Sequence, residues 1–203
     1  MRLAIRSILV VAAVLVTRTA QAEIAPIGKC GDPATPIHDI QGSGTHTGVL
    51  DQAKVIEGVV VGDFQTTSLR GFYVQEEDDQ RDADPATSEG MFVFQSDNTT
   101  DVRVGQLVRV GGNVAEFDGT TELTNVWRVL ICPGTPVASP VELSLPVRDR
   151  GELERYEGML VNVAQQLTVT GNHLLARYGT LELSAGGRLL TPTQLAPKGD
   201  PAR

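Results

Sequence analysis

Three short apolar runs between Glu57 and Phe94 constrain this chain more than anything else in it. They read Glu57-Gly58-Val59-Val60-Val61-Gly62-Asp63-Phe64, then Gly71-Phe72-Tyr73-Val74-Gln75-Glu76, then Gly90-Met91-Phe92-Val93-Phe94. Each is rich in β-branched and aromatic residues and bounded by Gly, Ser or Asp, the pattern of a short strand between turns. An acidic loop, Glu77 to Asp84, separates the second run from the third. Sustained 3.6-residue periodicity is nearly absent along the chain, which argues against a helical protein.

Two longer runs complete the set. From Leu107 to Phe117, Val108, Val110 and Val114 alternate with Arg109 and Asn113. Asp118-Gly119 is a hairpin signal. From Glu122 to Cys132, Leu123, Trp127, Val129 and Ile131 alternate with Thr124, Val126, Arg128 and Leu130. The first strand extends over Lys54 to Phe64, with Val55, Val59 and Val61 on one face and Gly58 and Gly62 interrupting the other. A glycine inside a strand marks a bulge or a barrel corner. Five such strands predict an all-β protein with an OB-fold-like barrel over residues 47–133.

The ends are organised differently. Arg2 and Arg6 precede an apolar stretch, Ile8 to Val16, and Ala20-Gln21-Ala22 has the small-x-small form of a cleavage site. Residues 1–22 are therefore predicted to be an export signal, too short to span a bilayer. The mature protein is expected outside the cytoplasm, secreted or periplasmic, with no membrane association. Residues 23–46 form a Gly/Pro-rich lead, in which Ile37 to Gly42 reads as a short strand or bend. Residues 134–147 are a Pro-rich linker, and Arg148 to Tyr156 is a helix in which Asp149 and Glu152 resemble a capping pair. Glu157-Gly158-Met159-Leu160-Val161 then repeats the theme of Glu57 to Val61. It leads into further strand-like runs at Leu167 to Thr170, Gly179 to Leu183 and Arg188 to Thr193. Residues 148–203 are read as the start of a second β-rich module.

Two cysteines, Cys30 in the lead and Cys132 at the close of the barrel, fit a disulfide in an exported chain. The formal charge is −8, and removing the export signal takes away three arginines and no acid, leaving −11. Non-specific nucleic-acid affinity needs a basic surface, so any contact with DNA or RNA should be local and weak.

OB-folds bind single strands by stacking bases on aromatic side chains beside a basic groove. Tyr73 is the candidate for stacking, with Arg70, Arg109 and Arg128 as the nearby cations. Phe92, Phe94 and Trp127 are assigned to the core. In the acidic loop Asp78, Asp82 and Asp84 fall at alternating positions and could supply oxygen ligands to Ca²⁺, although the loop lacks the glycine and final Glu of an EF-hand.

These runs also resemble a family. Asp63-Phe64-Gln65, Gly71 to Glu76, Asp84 to Ser88 and Glu89 to Val93 follow one another as in the OB-fold domain near the front of ExeM/NucH-type secreted endonucleases. The phrase Ile37 to Gly42 fits the same pattern, as do Glu152 to Val161 and Arg177 to Ser184. The resemblance implies a barrel, then a second β-rich module, then a metal-dependent nuclease domain of the endonuclease/exonuclease/phosphatase type. In that frame the chain covers only the front part of a family member. It has three His and no Ser-Asp-His ending. Gly62-Asp63-Phe64 approaches a metal motif of that superfamily, but Gln65 stands where the motif has Asn. The chain is expected to be non-enzymatic, with divalent metal belonging to the missing nuclease domain. Two functions follow: an accessory region that binds or positions nucleic acid for a nuclease catalytic domain, or a structural barrel that packs on that domain.

Overall fold

The computed structural model describes residues 26–96, 100–178 and 180–195; the expected export signal and its expected cleavage position at Ala22 lie outside the described residues. Five strands form a closed hydrogen-bonded ring: β1 (Ala53–Asp63), β2 (Gly71–Gln75), β3 (Gly90–Phe94), β4 (Leu107–Phe117) and β5 (Thr120–Cys132). Their order around the ring is β1-β2-β3-β5-β4. Neighbours pair antiparallel except β3 and β5, whose parallel pairing closes the ring. This is the all-β, OB-fold-like arrangement that the runs of β-branched and aromatic residues imply, with strand limits within two residues of those expected. Among the described residues no helix is long and apolar enough to cross a membrane.

The core draws on every strand and on the lead. Ile56, Val60, Phe72, Val74, Met91, Val93, Val108, Val110, Val114, Leu123 and Val129 are buried together with Ile37, Ile40 and Val102. Ile37–Gln41 is not the expected strand or bend but one turn of helix, α1. A helical turn puts Ile37 and Ile40 on one face, and both enter the core.

Two expectations about side-chain direction are corrected. In β3 the inner residues are Met91 and Val93, so Phe92 and Phe94 lie on the outer face. All four are apolar, and period-two alternation cannot say which pair turns inward. In β5 a bulge falls opposite Gly112: Gly111 pairs with Arg128, and Asn113 pairs with Thr124. The two extra residues interrupt the alternation locally, although Leu123 and Val129 on either side stay in the core, and the half-buried Trp127 covers Gly111 instead of joining them.

The lead is clamped to the barrel. Cys30 and Cys132 form the expected disulfide across 102 residues of sequence. Arg109 projects outward from β4 beneath the lead and is only 2% exposed. Its Nε donates to the Ile27 carbonyl at 2.6 Å, Nη1 to the Asp32 carbonyl at 2.8 Å, and Nη2 to the Pro33 carbonyl at 2.8 Å. Nη1 also pairs with Glu57 Oε2 at 3.1 Å.

Beyond the barrel, β6 (Val141–Glu142) pairs in parallel with β7 (Val161–Asn162). Between them Arg150–Tyr156 winds as a 3₁₀ helix, tighter than an α-helix, capped by Asp149, which accepts from the Glu152 amide. From there Glu157 to Leu160 crosses the outside of the barrel. The Thr121 amide donates to Glu157 Oε1 at 2.7 Å, and the Leu160 amide donates to Gln75 Oε1 at 2.8 Å. The crossing demands glycine at position 90, because a Cβ there would lie 2.3 Å from the Gly158 carbonyl carbon. The expected linker also touches the barrel, since Ser139 bonds to Asp78, Arg81 and Gln75.

The last described strands, β8 (Leu167–Gly171) and β9 (Glu182–Ala185), pair with each other, with a helical turn, α2 (Leu175–Tyr178), between them. Arg188 to Thr193, expected as a strand, leads into the helical turn α3 (Pro192–Leu195). Val169, Leu181 and Leu183 are each more than two-fifths exposed. A two-stranded hairpin with an uncovered apolar face is marginal by itself. Its amides are expected to exchange with solvent much faster than those of Val108 to Val114. Equal protection in the two regions, measured by hydrogen exchange on monomeric protein, would contradict this.

Candidate functional site

The outer face of β2, β3 and β5 carries a groove of about 820 Å³. Tyr73, Phe92 and Phe94 form its floor. Leu69 in the β1–β2 loop and Phe117 beside the β4–β5 turn form its ends. Strand register builds the floor, because Tyr73 faces Phe92 directly across the β2–β3 pair. Their ring centroids are 4.9 Å apart, and Phe64 meets Tyr73 edge-on at 5.9 Å. Gly71 makes room for this row: a Cβ there would lie 2.4 Å from Phe92 Cζ. At the far end Asp118 and Gly119 both have positive φ, as a two-residue hairpin turn requires, and that tight turn holds up Phe117. Phe117 is 69% exposed.

The wall opposite the rings is polar and acidic. Asp118, Thr120, Glu122, Thr124 and Asn125 line it, and none of the lining residues is basic. Burial raises the Glu122 carboxyl above the ordinary carboxylate range. Burial also raises the Tyr73 hydroxyl, helped by the charges of Glu157 and Glu122. The groove lining therefore carries carboxyl groups and no cation.

Glu122 gives a pH dependence with a defined sign. Its folded pKa lies above its ordinary 4.5, so the folded state holds a proton that the unfolded state has lost. That contribution to stability is complete below 4.5 and disappears as pH rises through the raised value. Glu122→Gln is therefore expected to stabilise the protein at neutral pH and to change little in acid. Urea midpoints for both proteins across that range measure it; a wild-type advantage at neutral pH would contradict it.

Of the residues expected to contact nucleic acid, Tyr73 lies in the groove and Arg70 at its edge. Arg70 is exposed and its guanidinium donates to the carbonyl of Ser96, a groove residue. Arg128 is exposed on β5 but does not line the groove. Arg109 is corrected outright. Buried under the lead, with three carbonyls and Glu57 on its guanidinium, it offers nothing to a phosphate.

The acidic loop, expected as a Ca²⁺ site, does not gather its three carboxylates in this structure. Asp78 accepts from the Ser139 amide and hydroxyl and pairs with Arg81 at 2.9 Å, and these hydrogen bonds hold its carboxyl below the ordinary range. Asp82 caps the Asp84 amide and accepts from the Thr87 hydroxyl, while Asp84 caps the Ala86 amide. The three carboxylates shape turns and do not converge on one point.

A different cluster does converge. His38 of α1, Glu76 just after β2 and Glu89 just before β3 bring their donor atoms together. His38 Nδ1 lies 2.9 Å from Glu76 Oε2 and 3.3 Å from Glu89 Oε2. The Ile37 amide donates to the other Glu76 oxygen. Burial and then Glu76 push Glu89 up to about 7. Burial pulls His38 down, but its hydrogen bond to Glu76 and the neighbouring charges hold it above its ordinary 6.5. The β2–β3 pairing, which sets Gln75 against Gly90, makes Glu76 and Glu89 neighbours. That signal was legible in the sequence; the approach of His38 from the lead was not.

Comparison with family models, with curated proteins and with solved structures finds no match for this chain.

Proposed function

We propose that this protein is a non-catalytic accessory module of an exported ExeM/NucH-type endonuclease. Its outer groove docks on a polypeptide surface, that of the nuclease catalytic domain. The observation that carries the docking reading is the groove itself, with an aromatic floor and an acidic wall that holds no cation. It occupies the barrel face and the two loops through which OB-folds take their ligands. The resemblance of Asp63 to Gln65, Gly71 to Glu76 and Asp84 to Val93 to that family supports the link to a nuclease.

Charge chooses the occupant. A polyanion gains affinity from Lys and Arg, whereas here Asp118 and Glu122 would repel it and the whole chain carries −8. An apolar anchor flanked by basic residues is the complement: the rings bury the anchor and the carboxylates attract its neighbours. Gln65, in the place of the superfamily's Asn, donates to the Thr100 carbonyl and accepts from the Val102 amide, which suits a structural role.

One observation favours a nucleic-acid strand instead. Phe64, Tyr73 and Phe92 form a row of rings with Arg70 at its edge, as in a stacking platform. Fluorescence anisotropy separates the two readings, with a labelled catalytic domain of that family and a labelled single-stranded oligonucleotide as ligands. The catalytic domain is expected to bind, and Phe117→Ala, an exposed substitution, to cost about 2 kcal/mol or more. Oligonucleotide binding that weakens with salt, and by about 1–3 kcal/mol on Tyr73→Ala, would overturn the docking reading.

A further inference from the structure

We propose that His38, Glu76 and Glu89 form a binding site for a divalent transition-metal ion of the Zn²⁺ type. One imidazole nitrogen and two carboxylate oxygens would hold it, joining the lead to β2 and β3.

The donor set comes first. Three protein ligands of N and O type leave one position of a tetrahedral ion open, a common arrangement for Zn²⁺. Ca²⁺ needs more oxygens than this cluster offers. Metal–ligand distances of about 2.0–2.1 Å separate neighbouring donors on a tetrahedral ion by roughly 3.3 Å. The two nitrogen–oxygen separations here, 2.9 and 3.3 Å, are close to that spacing. All three donor atoms lie within 4.8 Å of one another.

The surroundings are those of a ligand set held in place. Metal-bound His and carboxylates are oriented by partners behind them. The Ile37 amide holds Glu76 Oε1, leaving Oε2 facing the cluster. The Glu76 amide donates to the Glu89 carbonyl at 3.0 Å, which fixes the two backbones together.

Charge and access provide a second, independent observation. Glu76 and Glu89 are 2% and 6% exposed, and the described ion pairs of both run to His38 alone. Buried charges in proteins are paired or bind metals, and one imidazolium balances only one of two ionised carboxylates. A cavity of about 420 Å³, lined in part by Glu57 and Glu77, reaches Glu76. Glu57 is paired with Arg109, so of these two it is Glu77 whose carboxylate would draw cations toward the cluster.

The test uses the full mature chain, dialysed against Zn²⁺ after chelator treatment, with bound metal measured by mass spectrometry. One Zn²⁺ per chain is expected, with a raised melting temperature that Ca²⁺ does not reproduce. His38→Ala and Glu89→Gln should each weaken Zn²⁺ binding by about tenfold or more, whereas Asp82→Asn should not. A wild-type protein that stays folded and binds no Zn²⁺, or a His38→Ala protein that binds it equally well, would overturn the proposal. Should the variants fail to fold, the wild-type chain still decides by NMR of its three His rings. Zn²⁺ should shift the ring nitrogens of His38; a shift at His46 or His173 alone, or none, would also overturn it.

Discussion

Replacing Cys30 and Cys132 together by serine should lower the unfolding free energy by about 4–5 kcal/mol, the largest effect expected of any change here. The bridge spans 102 residues and encloses nearly the whole barrel. Closing a loop of that size removes roughly 4.7 kcal/mol of chain entropy from the unfolded state. That amount is a large part of the stability of an ordinary domain. Urea unfolding of the double variant, beside the wild type with and without reductant, measures it. A loss below about 1 kcal/mol would mean that the lead constrains the unfolded chain far less than the loop length implies.

Arg109→Met should cost about 3–5 kcal/mol, the range for removing one partner of a buried ion pair. The variant keeps the aliphatic bulk but abandons the carbonyls of Ile27, Asp32 and Pro33 and the Glu57 carboxylate. Glu57 also accepts from the Gly31 amide, next to Cys30. The arginine and the disulfide therefore hold the same segment, and their losses should not add. A cycle of the two single changes and the combination should show a coupling of about 1 kcal/mol or more. If Arg109→Met instead left stability unchanged, the lead would not be clamped as described.

The barrel was legible because its strands obey local rules. Val108, Val110 and Val114 alternate with polar residues, and Asp118-Gly119 fixes the hairpin that follows. Alternation failed where both faces of a strand are apolar, as at Met91 to Phe94, and where a bulge adds residues, as before Trp127. The first of these conceals the groove, since Phe92 and Phe94 line it and the sequence reading turns them inward. Arg109 was misread for another reason: its partners Ile27 to Pro33 are remote in sequence, and no periodicity reports them. The same distance hides His38 from Glu76 and Glu89, and one helical turn at Ile37–Gln41 is too short to leave a periodic signal. Acidic spacing alone does not report the turn-capping roles of Asp82 and Asp84, because short carboxylates also cap their own turns.

The most direct test of the docking reading is an NMR footprint on the nitrogen-labelled protein. The unlabelled catalytic domain of an ExeM/NucH-type nuclease is titrated in one series and a single-stranded oligonucleotide in another. The catalytic domain is expected to shift the amides of Leu69, Tyr73, Phe92 to Phe94 and Phe117 to Thr124 while leaving β4 between Val108 and Val114 unchanged. The oligonucleotide is expected to shift none of them. Shifts along that face with the oligonucleotide, or with the catalytic domain only outside it, would contradict the assignment of the groove as a polypeptide-docking site.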